Sequence, residues 1–227
     1  MNLWNQFWWV IYPYLALVIL ILGTWQRFSQ DPYSITAKSS ELLEKKYLRY
    51  GSMLFHYGIV FVFGGHVMGL LIPKSVHEAL GITDELYHMM AIGIGGIAGV
   101  ATLLGALFLF VRRFTNPRIS KTSSVGDKWV LILILILMFT GMSATSTNAL
   151  GHTGFDYRTS IAPWIRGVLT LSPDTSYMQN VPFIFQVHVI CAISFFIFLP
   201  FTRLIHILTL PLHYLTRSFV LFRRRGV

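Results

Sequence analysis

The sequence predicts an all-α integral membrane protein in which five helices cross the bilayer as one domain. Hydrophobic residues make up 54% of the 227 residues and charged residues only 12%, whereas soluble domains are roughly a quarter charged. The mean hydropathy is +0.61, and several apolar runs reach the ~20 residues that a helix needs to cross a bilayer. The longest polar stretch, about 27–49, is too short to hold a separate core.

Five apolar segments define the expected spans, at about residues 4–25, 52–72, 87–111, 129–149 and 182–207. The first lacks the basic start of a cleavable signal peptide, so we expect it to remain as a membrane helix. The third is rich in glycine and alanine, which would let a neighbouring helix or a flat ring approach closely. The fifth contains Pro200 near its inner end, where a proline predicts a kink. A basic tail, 208–227, completes the single domain 1–227.

Lysines and arginines lie mostly on one side of these spans. Of the 18, all but three follow the first, third and fifth spans, and the exceptions are Lys74, Arg158 and Arg166. Because short cytoplasmic segments collect basic residues, we expect the N-terminus outside and the C-terminus in the cytoplasm. The basic inner face favours anionic membrane lipid and could also dock a soluble partner. No nucleic-acid-binding motif accompanies the net charge of +9, so nucleic acid is not an expected partner.

The outer segment 151–181 is long for a simple connection and rich in aromatic residues. We expect it to lie on the membrane surface, with a short interfacial helix. The one cysteine, Cys191, lies in an apolar run, so no disulfide can form within the chain. The covalent haem-attachment motif C-x-x-C-H is excluded for the same reason. Any haem would therefore be of the b type.

Four histidines lie in or at the edge of the second and fifth spans: His56, His66, His188 and His206. A polar side chain in hydrocarbon is costly without a partner, and histidine is an axial ligand of haem iron. The two spans run in opposite directions, which places His56 and His206 near the inner face and His66 and His188 near the outer face. The pattern predicts two bis-histidine haems. The remaining histidines are expected to be solvated, namely His77, His88, His152 and His213.

The spacing of the two histidines along the second span does not match that along the fifth. Ten residues separate His56 from His66, about 15 Å along a helix, while eighteen separate His188 from His206, about 27 Å. Helix tilt and a kink at Pro200 would reconcile them. Two alternatives remain open: hydrogen bonds between helices, and a histidine proton relay in a small channel or transporter. No Asp or Glu lies inside a predicted span, which counts against the relay.

Arg203 lies three residues before His206, hence on the same helical face. A guanidinium binds a carboxylate in a forked geometry, so Arg203 is a candidate partner for a haem propionate. Plain extension of the side chain to the membrane interface explains it equally well.

Short motifs along the whole chain resemble the gamma subunits of respiratory nitrate reductases, which are membrane cytochromes b. The matching pieces are Tyr12-Pro13-Tyr14, Ser39-Ser40, Leu54-Phe55-His56, Gly64-Gly65-His66, Pro117-Arg118, Phe201-Thr202-Arg203-Leu204-Ile205-His206 and Tyr214-Leu215-Thr216-Arg217. The resemblance implies two haem b groups, an inner one on His56 and His206 and an outer one on His66 and His188.

The same resemblance implies that the chain oxidises a membrane quinol near the outer haem of a bacterial plasma membrane. Electrons would pass inward to an iron–sulfur beta subunit and then to a molybdenum-containing alpha subunit, which reduces nitrate. The chain itself would not reduce nitrate, since it has no cysteine cluster and no soluble domain. A close alternative is the membrane cytochrome of another quinone-linked complex, such as a sulfur or heterodisulfide reductase.

One position departs from the family pattern. Proteobacterial members carry a lysine at the outer start of the third helix, whereas this chain has Tyr87 followed by His88. The outer segment resembles members from Gram-positive bacteria, which implies menaquinol as substrate. Tyr87 or His88 would then contact the quinol, and Gly65 would make room for its ring.

Overall fold

The computed structural model describes residues 3–31, 35, 40–150 and 155–208. This part of the chain contains helices and turns but no strand, and five helices are long and apolar enough to cross a membrane. In chain order the helices are α1 Leu3–Gln30, α2 Lys46–Leu71, α3 Lys74–Ala79, α4 Asp84–Thr115, α5 Pro117–Thr122, α6 Val125–Ala149, α7 Ile161–Leu169 and α8 Phe183–Phe198. The all-α class with five spans is thus confirmed. Most of the basic tail, with Tyr214–Arg217, His152 and His213, lies outside the described residues.

The five long helices expose apolar side chains over most of their length. Between 11% and 33% of the residues in their most apolar stretches are buried inside the protein. A helix satisfies its own backbone hydrogen bonds, so such surfaces are stable in lipid. Four helices extend beyond the predicted spans, because polar end turns and caps continue the helix past its apolar centre. Thr83 caps α4 by accepting a hydrogen bond from Leu86 N at 3.2 Å.

The long helices pack in the order α2, α4, α6, α8 and α1. The closest approach is between α2 and α4, where glycines, which have no side chain, let the two backbones come close. A Cβ on Gly58 would lie 2.8 Å from Ala98 O, and one on Gly105 would lie 2.8 Å from Gly51 O. Backbones this close are typical of membrane helices joined through small residues. As a result, α2 and α8, which carry the candidate histidines, are connected through α4 and α6.

The expected short helix in the outer segment is present as α7. Its Trp164 is 2% exposed and donates from Nε1 to Trp9 O at 2.9 Å. Trp9 lies in a π-helical turn, Phe7–Ile11, within α1. On the other side of α7, Arg166 donates to Leu70 O at 3.0 Å. These contacts fix the outer segment across the ends of α1 and α2.

The fifth span ends earlier than the predicted 182–207. The α-helix stops at Phe198, a short 3-10 turn covers Leu199–Phe201, and Thr202 is extended with φ −120° and ψ 174°. A second 3-10 segment, Arg203–Leu208, carries His206. Proline has no backbone N–H to donate to the preceding turn. Pro200 therefore ends the helix, whereas the sequence predicted only a kink there. His188 and His206 are therefore not on one continuous helix, and their 27 Å helical separation does not apply.

Candidate functional site between the membrane helices

Three of the four candidate histidines share one hydrogen-bonding pattern. Nδ1 of His56 and of His66 donates to the carbonyl oxygen four residues earlier, at 2.8 and 2.7 Å. Nδ1 of His206 donates to Arg203 O at 2.6 Å. A carbonyl oxygen only accepts, so Nδ1 carries the hydrogen, and in a neutral ring the lone pair is then on Nε2. Metal-ligating histidines are held in this way, with the nitrogen opposite the metal donating to a carbonyl.

His188 also forms a hydrogen bond through Nδ1, but its partner is a side chain on α6. Its Nδ1 lies 3.0 Å from Thr140 Oγ1, and this hydroxyl lies 3.0 Å from Leu137 O. Because the hydroxyl donates its one hydrogen to Leu137 O, Thr140 accepts from His188 Nδ1. The ring rests against Gly141, where a Cβ would lie 2.9 Å from His188 Cε1. All four imidazoles thus form their hydrogen bond through Nδ1, the arrangement typical of histidines that bind a metal through Nε2.

The structure brings the outer pair together. The ring centroids of His66 and His188 are 6.1 Å apart, with an angle of 43° between the rings. Two metal–nitrogen bonds of about 2.0–2.1 Å, plus half of each ring, place trans imidazole centroids roughly 6 Å apart. No ring contact joins His56 and His206, both of which are described. Their neighbours Phe55 and Leu204 pack against the same core cluster on α4 and α6, at Ala106, Val130, Ile134 and Met138.

The surroundings of His66 leave room for a flat ring. A Cβ on Gly64 or Gly65 would meet nothing within 4 Å. In the described residues no three of His, Cys, Asp and Glu come together as a metal cluster. The donor atoms, the outer-pair separation and the open glycine positions fit a bis-histidine haem.

Tyr87 lies one helical turn beyond the outer histidine pair. Its side chain is buried, and its hydroxyl lies 2.8 Å from that of Tyr157. Both hydroxyls abut Gly69, three residues after His66 on α2. Burial, together with the hydrogen bond to Tyr87, raises the pKa of Tyr157 well above its ordinary value. Tyr157 therefore keeps its proton at neutral pH.

A charged cluster holds Tyr87 from the outer side. The Arg158 guanidinium lies 4.0 Å from the Tyr87 ring centroid and pairs with Asp84 at 2.8 Å and Asp156 at 2.9 Å. Lys74 also pairs with Asp84, at 2.6 Å, and this hydrogen bond raises the pKa of Lys74. Tyr87 is therefore a firmly held group at the outer end of α4.

The other outer histidines differ from each other. His88 is partly exposed, with its ring 6.2 Å from that of Tyr87. His77 was expected to be solvated, and that expectation is wrong: it is 1% exposed and packs against Tyr87, with ring centroids 5.1 Å apart. Its short helix α3 covers the start of α4, and neither of its ring nitrogens has a hydrogen-bond partner among the described residues. His77 belongs to the interior of the outer end.

On the inner side Arg203 is bound to Asp127. Arg203 Nε lies 2.5 Å from Asp127 Oδ1, and Arg113 Nη1 lies 3.3 Å from Asp127 Oδ2. Asp127 is 3% exposed and closes the capping box of α6 with Ser124. One carboxylate thus serves two guanidinium groups, so this cluster keeps a net positive charge.

A second buried pair joins Arg112 to the first inner segment. Arg112 is 2% exposed and donates from Nε to Glu44 at 2.7 Å. Burial by itself would raise the pKa of Glu44, but hydrogen bonds from Tyr47 N, Arg112 and Leu48 N lower it below the ordinary value. The contact therefore stabilises the fold above the ordinary glutamate pKa and is lost as the pH falls through the lowered value.

Sequence reasoning missed the residues that hold the candidate groups in place, chiefly Thr140 and Gly141 against His188, Tyr157 against Tyr87, and Asp127 against Arg203. A threonine followed by a glycine in an apolar span is a weak signal, because both also occur in ordinary helix packing. Asp127 had a recognisable signal, since Ser124 three residues earlier forms a capping motif, but that signal concerns the helix end. Only the packing of α6 against α8 shows the other role of these side chains.

The fold defines a multi-pass membrane protein in which the imidazoles of His66 and His188 face each other between the helices. A family model described as nitrate reductase gamma subunit matches residues 5–225. The nitrate reductase gamma chain of Bacillus subtilis is 49% identical over 222 residues, covering 98% of this chain and 99% of that protein. The respiratory nitrate reductase 1 gamma chain of Escherichia coli is 34% identical over 226 residues, covering 99% of this chain and 100% of that protein.

A nitrate reductase-like protein of Mycobacterium tuberculosis, NarX, is also 34% identical, and the chain spans 34% of its length. The chain belongs to the nitrate reductase gamma subunit family. It is therefore a membrane subunit of an oxidoreductase complex, associated with other nitrate reductase subunits.

Proposed function

We propose that the chain is a dihaem cytochrome b that carries electrons from membrane quinol to the cytoplasmic subunits of nitrate reductase. The observation that carries this proposal is the shared hydrogen bonding of the four histidines, in which Nδ1 is the donor and Nε2 is the nitrogen that would bind iron. His66 and His188 would hold the outer haem, and His56 and His206 the inner one. When bound, two haems supply one-electron carriers in an apolar path, with potentials set by ligands and surroundings.

In this proposal, residues at the outer face bind the quinol, and residues at the inner face contact a haem propionate and the partner subunits. At the outer face Tyr87 would hydrogen-bond a ring oxygen of the quinol. The resemblance of the outer segment to members from Gram-positive bacteria implies that this quinol is menaquinol. Gly65 and His88 would border the quinol ring. At the inner face the positive cluster of Arg113 and Arg203 around Asp127 supports Arg203 as partner of a haem propionate. The basic inner surface would dock the iron–sulfur beta subunit, which contacts the molybdenum-containing alpha subunit.

The first test is the haem content of the purified chain. We expect b-type bands in the reduced-minus-oxidised spectrum, and two haems per chain. His66→Ala or His188→Ala should remove the same haem, and His56→Ala or His206→Ala the other. His88→Ala, which changes an outer histidine that belongs to neither proposed ligand pair, should keep both haems. Absence of b-type bands from the unaltered chain would end the proposal, and retention of both haems in His188→Ala would contradict the pairing.

A second test concerns Arg203. Replacing it with Leu should shift the midpoint potential of the inner haem, because a positive charge next to a propionate is removed. The outer haem serves as the control in the same sample. An unchanged inner potential would rule out the propionate contact.

A further inference from the structure

The segment that carries His206 is not part of a membrane helix. After α8 the backbone is extended at Thr202, and the 3-10 segment Arg203–Leu208 follows. Isolated 3-10 turns have weak internal hydrogen bonds, so this segment depends on contacts with other elements for its position. Two of those contacts are polar and come from helices that carry none of the four histidines.

The first contact comes from α1. Arg27 Nη1 donates to Pro200 O at 2.8 Å and to Thr202 O at 3.0 Å. The carbonyls at a helix end have no partner within the helix, and a charged donor that serves them forms a comparatively strong hydrogen bond. Next to it, Gly23 admits Pro200, since a Cβ on Gly23 would lie 3.0 Å from Pro200 Cβ. Arg27 therefore fixes the point where α8 ends.

The second contact comes from α6. Asp127, fixed in place by its capping box with Ser124 and by Arg113, binds Arg203 Nε. The backbone carbonyl of the same Arg203 accepts from His206 Nδ1 at 2.6 Å. Arg203 thus binds the Asp127 carboxylate through its side chain and orients the His206 imidazole through its backbone carbonyl. Between the two contacts, Ile205 is 0% exposed and packs with Leu199.

We propose that Arg27 and Asp127 are positioning residues for His206, aiming Nε2 of an imidazole that no continuous helix supports. The inference rests on the proposed function, in which His206 is an axial ligand of the inner haem. It also gives the physical reason why the histidines can be spaced differently along the second and fifth spans. The depth of His206 is set by two cross-links to α1 and α6, so it does not follow from counting helical residues after His188.

The test compares Asp127→Asn with Glu44→Gln in the full chain. Asparagine keeps the size and the cap acceptor but loses the charge that holds Arg203. Glu44→Gln changes another, partly buried inner-face carboxylate, one that pairs with Arg112. We expect Asp127→Asn to reduce inner-haem occupancy by at least half, or to alter the low-spin electron paramagnetic resonance signal of that haem. Outer-haem occupancy and signal should stay unchanged in both variants.

Arg27 supplies an independent second arm. Arg27→Leu should weaken the inner-haem signal selectively, and Arg27→Lys, which retains a charged donor, should restore most of it. A purely structural role would lower both haems together and would not distinguish Lys from Leu. If the unaltered chain lacks haem, the proposed function fails. If it holds two haems and the Asp127→Asn and Arg27→Leu variants leave the inner signal unchanged, the positioning proposal alone fails.

Discussion

At the scale of single residues, the tautomer of each histidine follows from its neighbours. His56 and His66 donate to carbonyls of their own helix, so any histidine in the middle of a helix has this option. His188 uses Thr140 and rests against Gly141 on another helix. Its orientation therefore depends on the packing of α6 against α8.

Gly141→Ala tests that dependence. The new Cβ would lie 2.9 Å from His188 Cε1, closer than van der Waals contact, so the imidazole must move away from Thr140. We expect the haem content to fall from two towards one per chain, with the outer haem lost. Gly126→Ala on the same helix is the control, because its Cβ would meet nothing closer than 3.8 Å. Full outer-haem occupancy with an unaltered spectrum in Gly141→Ala would contradict the prediction.

Tyr87→Phe tests the proposed quinol contact. A neutral hydrogen bond contributes about 1 kcal/mol, so we expect KM for quinol to rise about fivefold while kcat changes little. Tyr157→Phe breaks the same tyrosine–tyrosine bond but leaves the Tyr87 hydroxyl in place, so its effect should be smaller. Steady-state quinol oxidation by the whole complex provides the measurement. Equal kinetics for Tyr87→Phe and the unaltered enzyme would remove Tyr87 from the quinol site.

At the scale of elements, close packing of α2 on α4 sets the position of the helix that carries two candidate ligands. The glycines responsible are Gly58 and Gly105, whereas Gly93, Gly95 and Gly96 have open space at their Cβ positions. Glycine content in the sequence indicated close approach somewhere along α4 but did not distinguish these two groups. The difference depends on which face of α4 meets α2.

Gly105→Ala is expected to separate α2 from α4. Its Cβ would lie 2.8 Å from both Gly51 O and Phe55 Cα, which are backbone atoms that cannot rotate away. Overpacking of this kind costs about 1–3 kcal/mol, more than alanine gains in helix propensity. Thermal unfolding in detergent should show a lower midpoint than for Gly126→Ala. An equal or higher midpoint would show that the helices can move apart at no cost.

At the scale of the whole molecule, the charge distribution predicts the orientation in the membrane. Leu42 and Leu171 are both well exposed, in the first inner and the long outer segments. In a Cys191→Ser background, Leu171→Cys should react with a membrane-impermeant maleimide in intact cells or spheroplasts. Leu42→Cys should react only after the membrane is permeabilised. The opposite pattern would invert the predicted topology, in which the N-terminus is outside.

The sequence by itself determined the class of this protein, the number of spans and the histidines of interest, because hydrophobic runs and intramembrane polar residues are local properties of the chain. It did not determine where the fifth helix ends, why His77 is buried, or which residues hold each imidazole. The burial of His77 depends on its packing against Tyr87. The end of the fifth helix and the settings of His188 and His206 depend on Arg27, Asp127, Thr140 and Gly141, which lie far from those histidines in sequence. Only tertiary packing decides them, since hydrogen bonds and close contacts between helices have no periodic signature along the chain.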